Sequence, residues 1–291
     1  MRTVWIGLMA LVMLAAMCTA ASAAEWKVEK LPGEYKFTEG PVWTPWGTLI
    51  FSDCHDNKIW EIVSSESGAT RKVYRDPSGP SNGLTFDKQG RLIVCDYGHR
   101  RVTRTEKDGK ITVLADSYEG KRLNSPNDIV VRADGSIYFT DPTYGVEAAA
   151  VELPFKGVYR IKPDGKLELL VKDFDMPNGL CFSPDESKLY IADSSNRRHV
   201  RLFKVAKDGT LSGGEVIFTF PKTGVPDGMK IGPKGELFSS GPGGVWIFDA
   251  AGKHLETIPV PETPANVAWG DKDGKTLYVT AMTGVYKARR D

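Results

Sequence analysis

The 291-residue sequence predicts an all-β chain folded as a six-bladed β-propeller with four-stranded blades. Three observations lead there. A short motif recurs six times, at intervals of 39 to 51 residues, near the ~40–50-residue period of a propeller blade. Each repeat contains brief apolar, β-branched runs separated by Gly- and Asp-rich turns, which read as strands and hairpins. No convincing helical period occurs beyond the first two dozen residues.

The motif sets a side chain bearing an oxygen just before a short apolar-rich run. Its six copies are Glu39-Gly40-Pro41-Val42-Trp43, Asn82-Gly83-Leu84, Asn127-Asp128-Ile129, Asn178-Gly179-Leu180, Asp227-Gly228-Met229 and Asn266-Val267-Ala268. A turn cluster follows each, such as Asp87-Lys88-Gln89-Gly90 or Arg132-Ala133-Asp134-Gly135, where Gly, Asn and Asp tolerate positive φ. Second strands come next, for example Leu92-Ile93-Val94 and Ile137-Tyr138-Phe139. In the first four repeats they end at an acid (Asp53, Asp96, Asp141, Asp193), whereas Gly241 and Ala281 stand there in the last two. Third and fourth strands complete each repeat, except that the sixth supplies only three. The alternating run at residues 26–31 is the expected closing strand of that last blade, because an unpaired sheet edge is a liability.

Residues 1–24 read as a cleaved signal peptide: Met1-Arg2, an apolar stretch from Trp5 to Met17, and Ala21-Ser22-Ala23 as the small-x-small site. The stretch is short of the ~20 residues a membrane helix needs. Residues 25–291 are then one domain, exported to the periplasm or secreted, with no membrane attachment after cleavage and a monomer or weak dimer expected. Balanced charge (Lys+Arg 38, Asp+Glu 37) argues against nucleic acid as a partner. Cys54, Cys95 and Cys181 show no C-x-x-C spacing; Cys54 and Cys95 sit at similar places in two repeats and export would permit a bridge, though nothing demands one. The connection from Pro142 to Lys156 is long, reading equally as a lid or as loop-length variation.

In a propeller the innermost strand of every blade lines the central channel. The six motif residues should therefore ring one axis at one mouth. Two carboxylates facing each other among amides would resist ionising. A divalent cation removes that conflict. The donors are all oxygens, which selects Ca²⁺ first, then Mg²⁺ or Mn²⁺, with Zn²⁺ also open. His55, His99, His199 and His254 share no spacing and read as ordinary turn residues.

The ordered set Glu39-Gly40-Pro41-Val42-Trp43, Arg122-Leu123-Asn124-Ser125-Pro126-Asn127-Asp128, Tyr138-Phe139-Thr140-Asp141-Pro142-Thr143-Tyr144-Gly145, Pro177-Asn178-Gly179-Leu180 and Pro226-Asp227-Gly228-Met229 resembles the family of gluconolactonases, senescence marker protein and luciferin-regenerating enzyme. The resemblance implies a six-bladed propeller with one axial divalent metal. It also implies Glu39, Asn127, Asn178 and Asp227 as metal ligands, Asp227 as catalytic base, and hydrolysis of a lactone, a sugar lactone such as gluconolactone being the expected small-molecule substrate. Asn82, Asn124, Ser125, Asp141 and Tyr144 are the expected substrate contacts. Ser125 stands where senescence marker proteins carry an arginine for sugar hydroxyls. Two rival readings share the scaffold: a calcium-dependent organophosphate or phosphotriester hydrolase, and a non-catalytic extracellular binding propeller.

Overall fold

The computed structural model describes residues 25–65 and 68–290; the expected signal peptide, residues 1–24, lies outside them. Six four-stranded antiparallel sheets form the six blades; five run outward in chain order from an inner strand, and the sixth takes its outermost strand from the start of the described chain. The inner strands are Thr38–Trp43, Ser81–Phe86, Ile129–Val131, Pro177–Phe182, Met229–Ile231 and Pro264–Gly270. Neighbouring inner strands touch in the order of the chain, and the sixth touches the first, so the ring closes.

Closure is made as expected. The outer strand of blade 6 is Lys27–Lys30, paired antiparallel with Gly284–Arg289 in the register Lys27↔Arg289 to Lys30↔Tyr286. Leu31 N then donates to Val285 O at 2.8 Å, and its side chain is buried beside Tyr35 and Val285. The ends of the described chain are thus sewn into one sheet.

Burial explains why the second strands read as continuous apolar runs rather than alternating ones. Leu49–Asp53, Leu92–Asp96, Ile137–Asp141 and Leu237–Gly241 are buried at every position, because each lies between two neighbouring blades. Outer strands such as Gly68–Arg75 carry mixed exposed and half-buried residues. The hairpin turns behave as their composition predicts; Gly90, at φ +71°, closes one by donating to Asp87 O at 2.9 Å. Two small features were not foreseen: a hairpin of Ser117–Tyr118 with Lys121–Arg122, and a 3₁₀ turn, Ala148–Ala150, inside the long connection.

Cys54, Cys95 and Cys181 are free and buried, so the open question of a Cys54–Cys95 bridge is answered in the negative.

The glycine of each motif has a steric cause. A Cβ on Gly40 would lie 2.1 Å from Asn82 O, on Gly83 2.5 Å from Asn127 O, and on Gly179 2.2 Å from Asp227 O. Adjacent inner strands therefore meet backbone to backbone, each glycine against the motif residue of the next blade. Gly83 N donates to Asn127 O at 2.8 Å across one such contact.

The closing strand makes a direct stability test. Burying Leu31 and part of Trp26 and Val28 against blade 6 is worth several kcal/mol at ~1.5–3 kcal/mol per large apolar side chain. Deleting residues 25–31 should lower Tm by roughly 10 °C in a circular-dichroism melt. An unchanged melting curve would mean that closure contributes nothing.

Candidate active site at one mouth of the channel

A cavity of about 380 Å³ opens at the mouth where the inner strands begin. Five of the six motif residues line it: Glu39, Asn82, Asn127, Asn178 and Asp227. Asn266 does not. In blade 6 the bulge falls between Pro264 and Asn266, so Asn266 pairs with Thr280 and Ala265 takes the motif position. The backbone confirms this shift of one residue, since Gly228 N donates to Ala265 O at 2.7 Å, as Gly83 N does to Asn127 O. Asn266 instead lies one step deeper, packed on Gly228, whose Cβ would meet its Cγ at 1.9 Å.

At that deeper level stands a carboxylate the motif reading passed over. Asp128 occupies the glycine position of blade 3 and is buried. Asn266 Nδ2 donates to Glu39 Oε2 at 3.2 Å and lies 3.4 Å from Asp128 Oδ2, bridging the two acids. Glu39 Oε2 also accepts Gly40 N at 2.8 Å, and Asp128 Oδ1 accepts Ile129 N at 2.8 Å. The signal for Asp128 was present in the sequence: it is the acid in a column otherwise occupied mostly by glycine.

Three acids close together in a dry place disturb one another. Burial, then the charge of Asp128, pushes the Glu39 carboxyl up to about 7, despite the bonds from Gly40 and Asn266. Burial, then the charges of Glu39 and Asp128, pushes Asp227 well above the carboxylate range. Asp227 Oδ1 and Asn178 Oδ1 are buried oxygens without a hydrogen-bond donor. Acceptors left in this state beside unneutralised carboxylates fit a hard divalent cation. Among the described residues no three His, Cys, Asp or Glu side chains form a metal cluster, so such an ion would depend on the amide oxygens of Asn127 and Asn178 as well as on Glu39 and Asp227.

Three of the four acids ending the second strands, Asp53, Asp141 and Asp193, explain how motif residues are held, whereas Asp96 accepts His99 N and Arg101 Nε. Asp53 accepts Lys36 N and Phe37 N, just before Glu39. Asp141 accepts Asn124 N at 2.8 Å and Ser125 N at 2.7 Å, just before Asn127. Asp193 accepts Asp175 N and Met176 N, just before Asn178. Each carboxylate thus pins the backbone that delivers a motif side chain to the axis. In blade 5, which lacks the acid, Ser240 Oγ accepts Asp227 N at 3.0 Å instead.

This placement corrects two expected substrate contacts. Asn124 and Asp141 are fully buried and do not line the cavity. Asn124 Nδ2 donates to Asp141 O and Phe155 O, and burial raises the Asp141 carboxyl to about 7 against the pull of the two N–H groups and Arg100. Ser125 and Tyr144 do line the cavity. Ser125 Oγ donates to Tyr144 O at 2.7 Å, so its hydroxyl secures the wall. Burial, then the nearby Asp227 charge, raises the Tyr144 hydroxyl to about 12.

The Pro142–Lys156 connection is tied down rather than loose. Besides Ser125 to Tyr144 and Asn124 to Phe155, Arg100 Nη1 donates to Ala150 O at 2.9 Å while its Nε donates to Leu123 O. It forms a wall carrying Tyr144 and Gly145.

The rest of the wall was missed by motif reasoning: Phe37, Cys54, His55, Tyr97, Ser194 and Val225. Its pattern is simple. Cys54, His55, Tyr97 and Ser194 follow the second-strand acids by one or two residues, and Phe37, Ser125 and Val225 precede the motif residues by two. His55, expected to be an ordinary turn residue, stacks on Phe37 with ring centroids 5.2 Å apart. Tyr97 Oη donates to Cys54 O at 3.2 Å. His99 pairs with Asp96, and neither it, His199 nor His254 lines the cavity.

Residues 37–283 match the family model described as SMP-30/Gluconolactonase/LRE-like region. The chain belongs to this family. It is 34% identical over 290 residues to a gluconolactonase of Zymomonas mobilis, spanning 90% of this chain and 81% of that one. It is 29% identical to regucalcin of Xenopus laevis, over 88% and 86% of the two chains. The solved structure of a gluconolactonase from Xanthomonas campestris superposes with a TM-score of 0.84 at 34% identity, covering 94% and 93%.

The acids at the floor give a pH test. Their folded pKa values lie above the unfolded ~4.3, so without a cation they hold protons more tightly when folded. The contribution of Glu39 to stability is complete below about pH 4.3 and is lost as pH rises to about 7. In chelator, the Tm of Glu39→Gln relative to the parent should therefore rise between pH 5 and pH 7.5. A difference independent of pH would show that Glu39 is ionised throughout.

Proposed function

We propose that the chain is a lactonase that hydrolyses a sugar lactone such as gluconolactone, using a divalent cation for which Ca²⁺ is the best match. The observation that carries this reading is the pair of donorless buried oxygens, Asp227 Oδ1 and Asn178 Oδ1, beside Glu39 at the floor of a cavity of small-molecule size. The gluconolactonases among its relatives support the substrate class.

A divalent cation held by Glu39, Asn127, Asn178 and Asp227 would supply Lewis-acid polarisation of the ester carbonyl and balance the carboxylate charge. The protein's own groups do the rest. The Asp227 carboxylate accepts a proton from the water that adds to the carbonyl carbon. The bond from that carbon to the ring oxygen then breaks, the proton passes to the leaving oxygen, and a hydroxy acid results. The amide of Asn82 faces the same cavity and can hydrogen-bond ring hydroxyls. Phe37, Tyr97 and Tyr144 narrow the mouth, lowering the local dielectric around the reacting atoms.

Asp227→Asn keeps the shape and removes the base. It should lower kcat for glucono-1,5-lactone by on the order of 10²–10⁴, measured as acid release in weakly buffered solution. Chelator should abolish activity in the parent and Ca²⁺ should restore it. Activity that survives both mutation and chelator would overturn the mechanism.

Export is part of the same reading: residues 1–24 act as a signal peptide and the enzyme works in the periplasm or outside the cell. N-terminal sequencing of protein recovered after expression with residues 1–24 should begin at Ala24 or Glu25. A start at Met1 would refute cleavage.

A further inference from the structure

The cavity is walled on one side only. In blades 1 to 4 the residues after the second-strand acids stand up as wall: Cys54 and His55, Tyr97, Tyr144, Ser194. Blades 5 and 6 have Gly241 and Ala281 at the acid position, and the residues after them contribute nothing to the cavity lining. A second cleft, of about 510 Å³, opens there instead. Its sides are Thr223 and Pro242 from blade 5 and Thr263 and Pro264 at the start of blade 6, and it shares Val225 and Asp227 with the cavity. The opening is built into the packing. A Cβ on Gly241 would lie 2.6 Å from the Phe220 ring and 2.8 Å from that of Trp246, so this position stays bare.

Chemistry narrows the occupant. No Lys or Arg lines either space, so apart from a cation already balancing Glu39 and Asp227 nothing there would neutralise a phosphate or a second carboxylate. Threonine hydroxyls and the backbone of a Gly-Pro-Gly turn offer neutral hydrogen-bonding groups, and the two proline rings offer C–H faces. In the cleft the apolar side chains are only Val225, Pro242 and Pro264, too few to cover a long alkyl chain along its length. The geometry points to a substrate longer than one ring: a sugar lactone bearing an uncharged glycosyl substituent, with the lactone over Asp227 and the second saccharide ring in the cleft between blades 5 and 6. This rests on the lactonase reading and extends it. The bond broken is the same ester; the substituent only adds binding.

The test compares kcat/KM for maltobiono-1,5-lactone, glucono-1,5-lactone, 6-phosphoglucono-1,5-lactone and δ-decanolactone. It is run on the Ca²⁺-loaded parent and on Thr223→Trp and Thr263→Trp, two exposed positions that fill the cleft from its sides. Matching melting curves would exclude misfolding. The parent should use the glycosylated lactone at least as well as gluconolactone and the phosphorylated one about tenfold worse or poorer. Either Trp substitution should cost about tenfold or more on the glycosylated lactone, through KM, while gluconolactone changes less than about twofold. The inference fails if the parent turns over gluconolactone but not the glycosylated lactone, if Trp affects both alike, or if the alkyl lactone is the one lost. Absence of turnover with all four lactones would instead remove the lactonase reading itself.

Discussion

The closest constraint in this protein is backbone against backbone at the axis. Gly40, Gly83 and Gly179 have no room for a Cβ because the carbonyl of the next blade's motif residue lies where it would go. That contact does two things at once. It holds neighbouring inner strands together around the channel, and it brings side chains roughly forty to fifty residues apart in the chain to a shared mouth. Every property of the site follows from this crowding. Burial of Glu39 and Asp227, and after it the repulsion among Glu39, Asp128 and Asp227, is why both Glu39 and Asp227 hold protons tightly.

A site this costly has to be held from behind. Asp53, Asp141 and Asp193 at the ends of the second strands do so by accepting backbone N–H groups. Asp141 shows the arrangement best. Its two oxygens take Asn124 N and Ser125 N, while Arg100 holds the Leu123 carbonyl and the far side of the Pro142–Lys156 wall. Position is transmitted from that carboxylate to Asn127 and, through Ser125, to Tyr144. Residues that a motif comparison would assign to substrate thus serve as the frame that aims the residues facing it.

The fold was legible in the sequence almost in full, because its signals are local. Turn chemistry, short β-branched runs and a recurring interval each repeat six times, so noise in any one copy is averaged away. Even the closing strand could be foreseen from an unpaired edge. The site was legible where it shares that periodicity, at Glu39, Asn82, Asn127, Asn178 and Asp227. It was misread where the periodicity slips. A bulge placed Ala265, not Asn266, at the motif position, and bulges are set by pairing across strands, not by composition. Asp128 looked like a missing glycine. The wall residues were hidden for another reason: Phe37, His55, Tyr97 and Val225 differ in type, and only their distance from the repeated acids and motif residues relates them.

The departure of blades 5 and 6 from the pattern is more than drift. Four blades pair an acid with a wall residue just after it; the last two have no acid there and no wall residue after that position, and Phe220 and Trp246 pack where a side chain at Gly241 would point. Asp227, the residue with the strongest claim to chemistry, belongs to blade 5 and so sits at the boundary between the walled side and the open one. A six-fold scaffold has no intrinsic direction around its axis. Absence of the acid from two adjacent blades supplies one: the cavity is bounded by residues of blades 1 to 4 and meets the second cleft beside Asp227. On the proposed glycosyl-lactone reading, selectivity for the reacting ring and tolerance of what is attached to it would then be set separately, by different blades of the same ring.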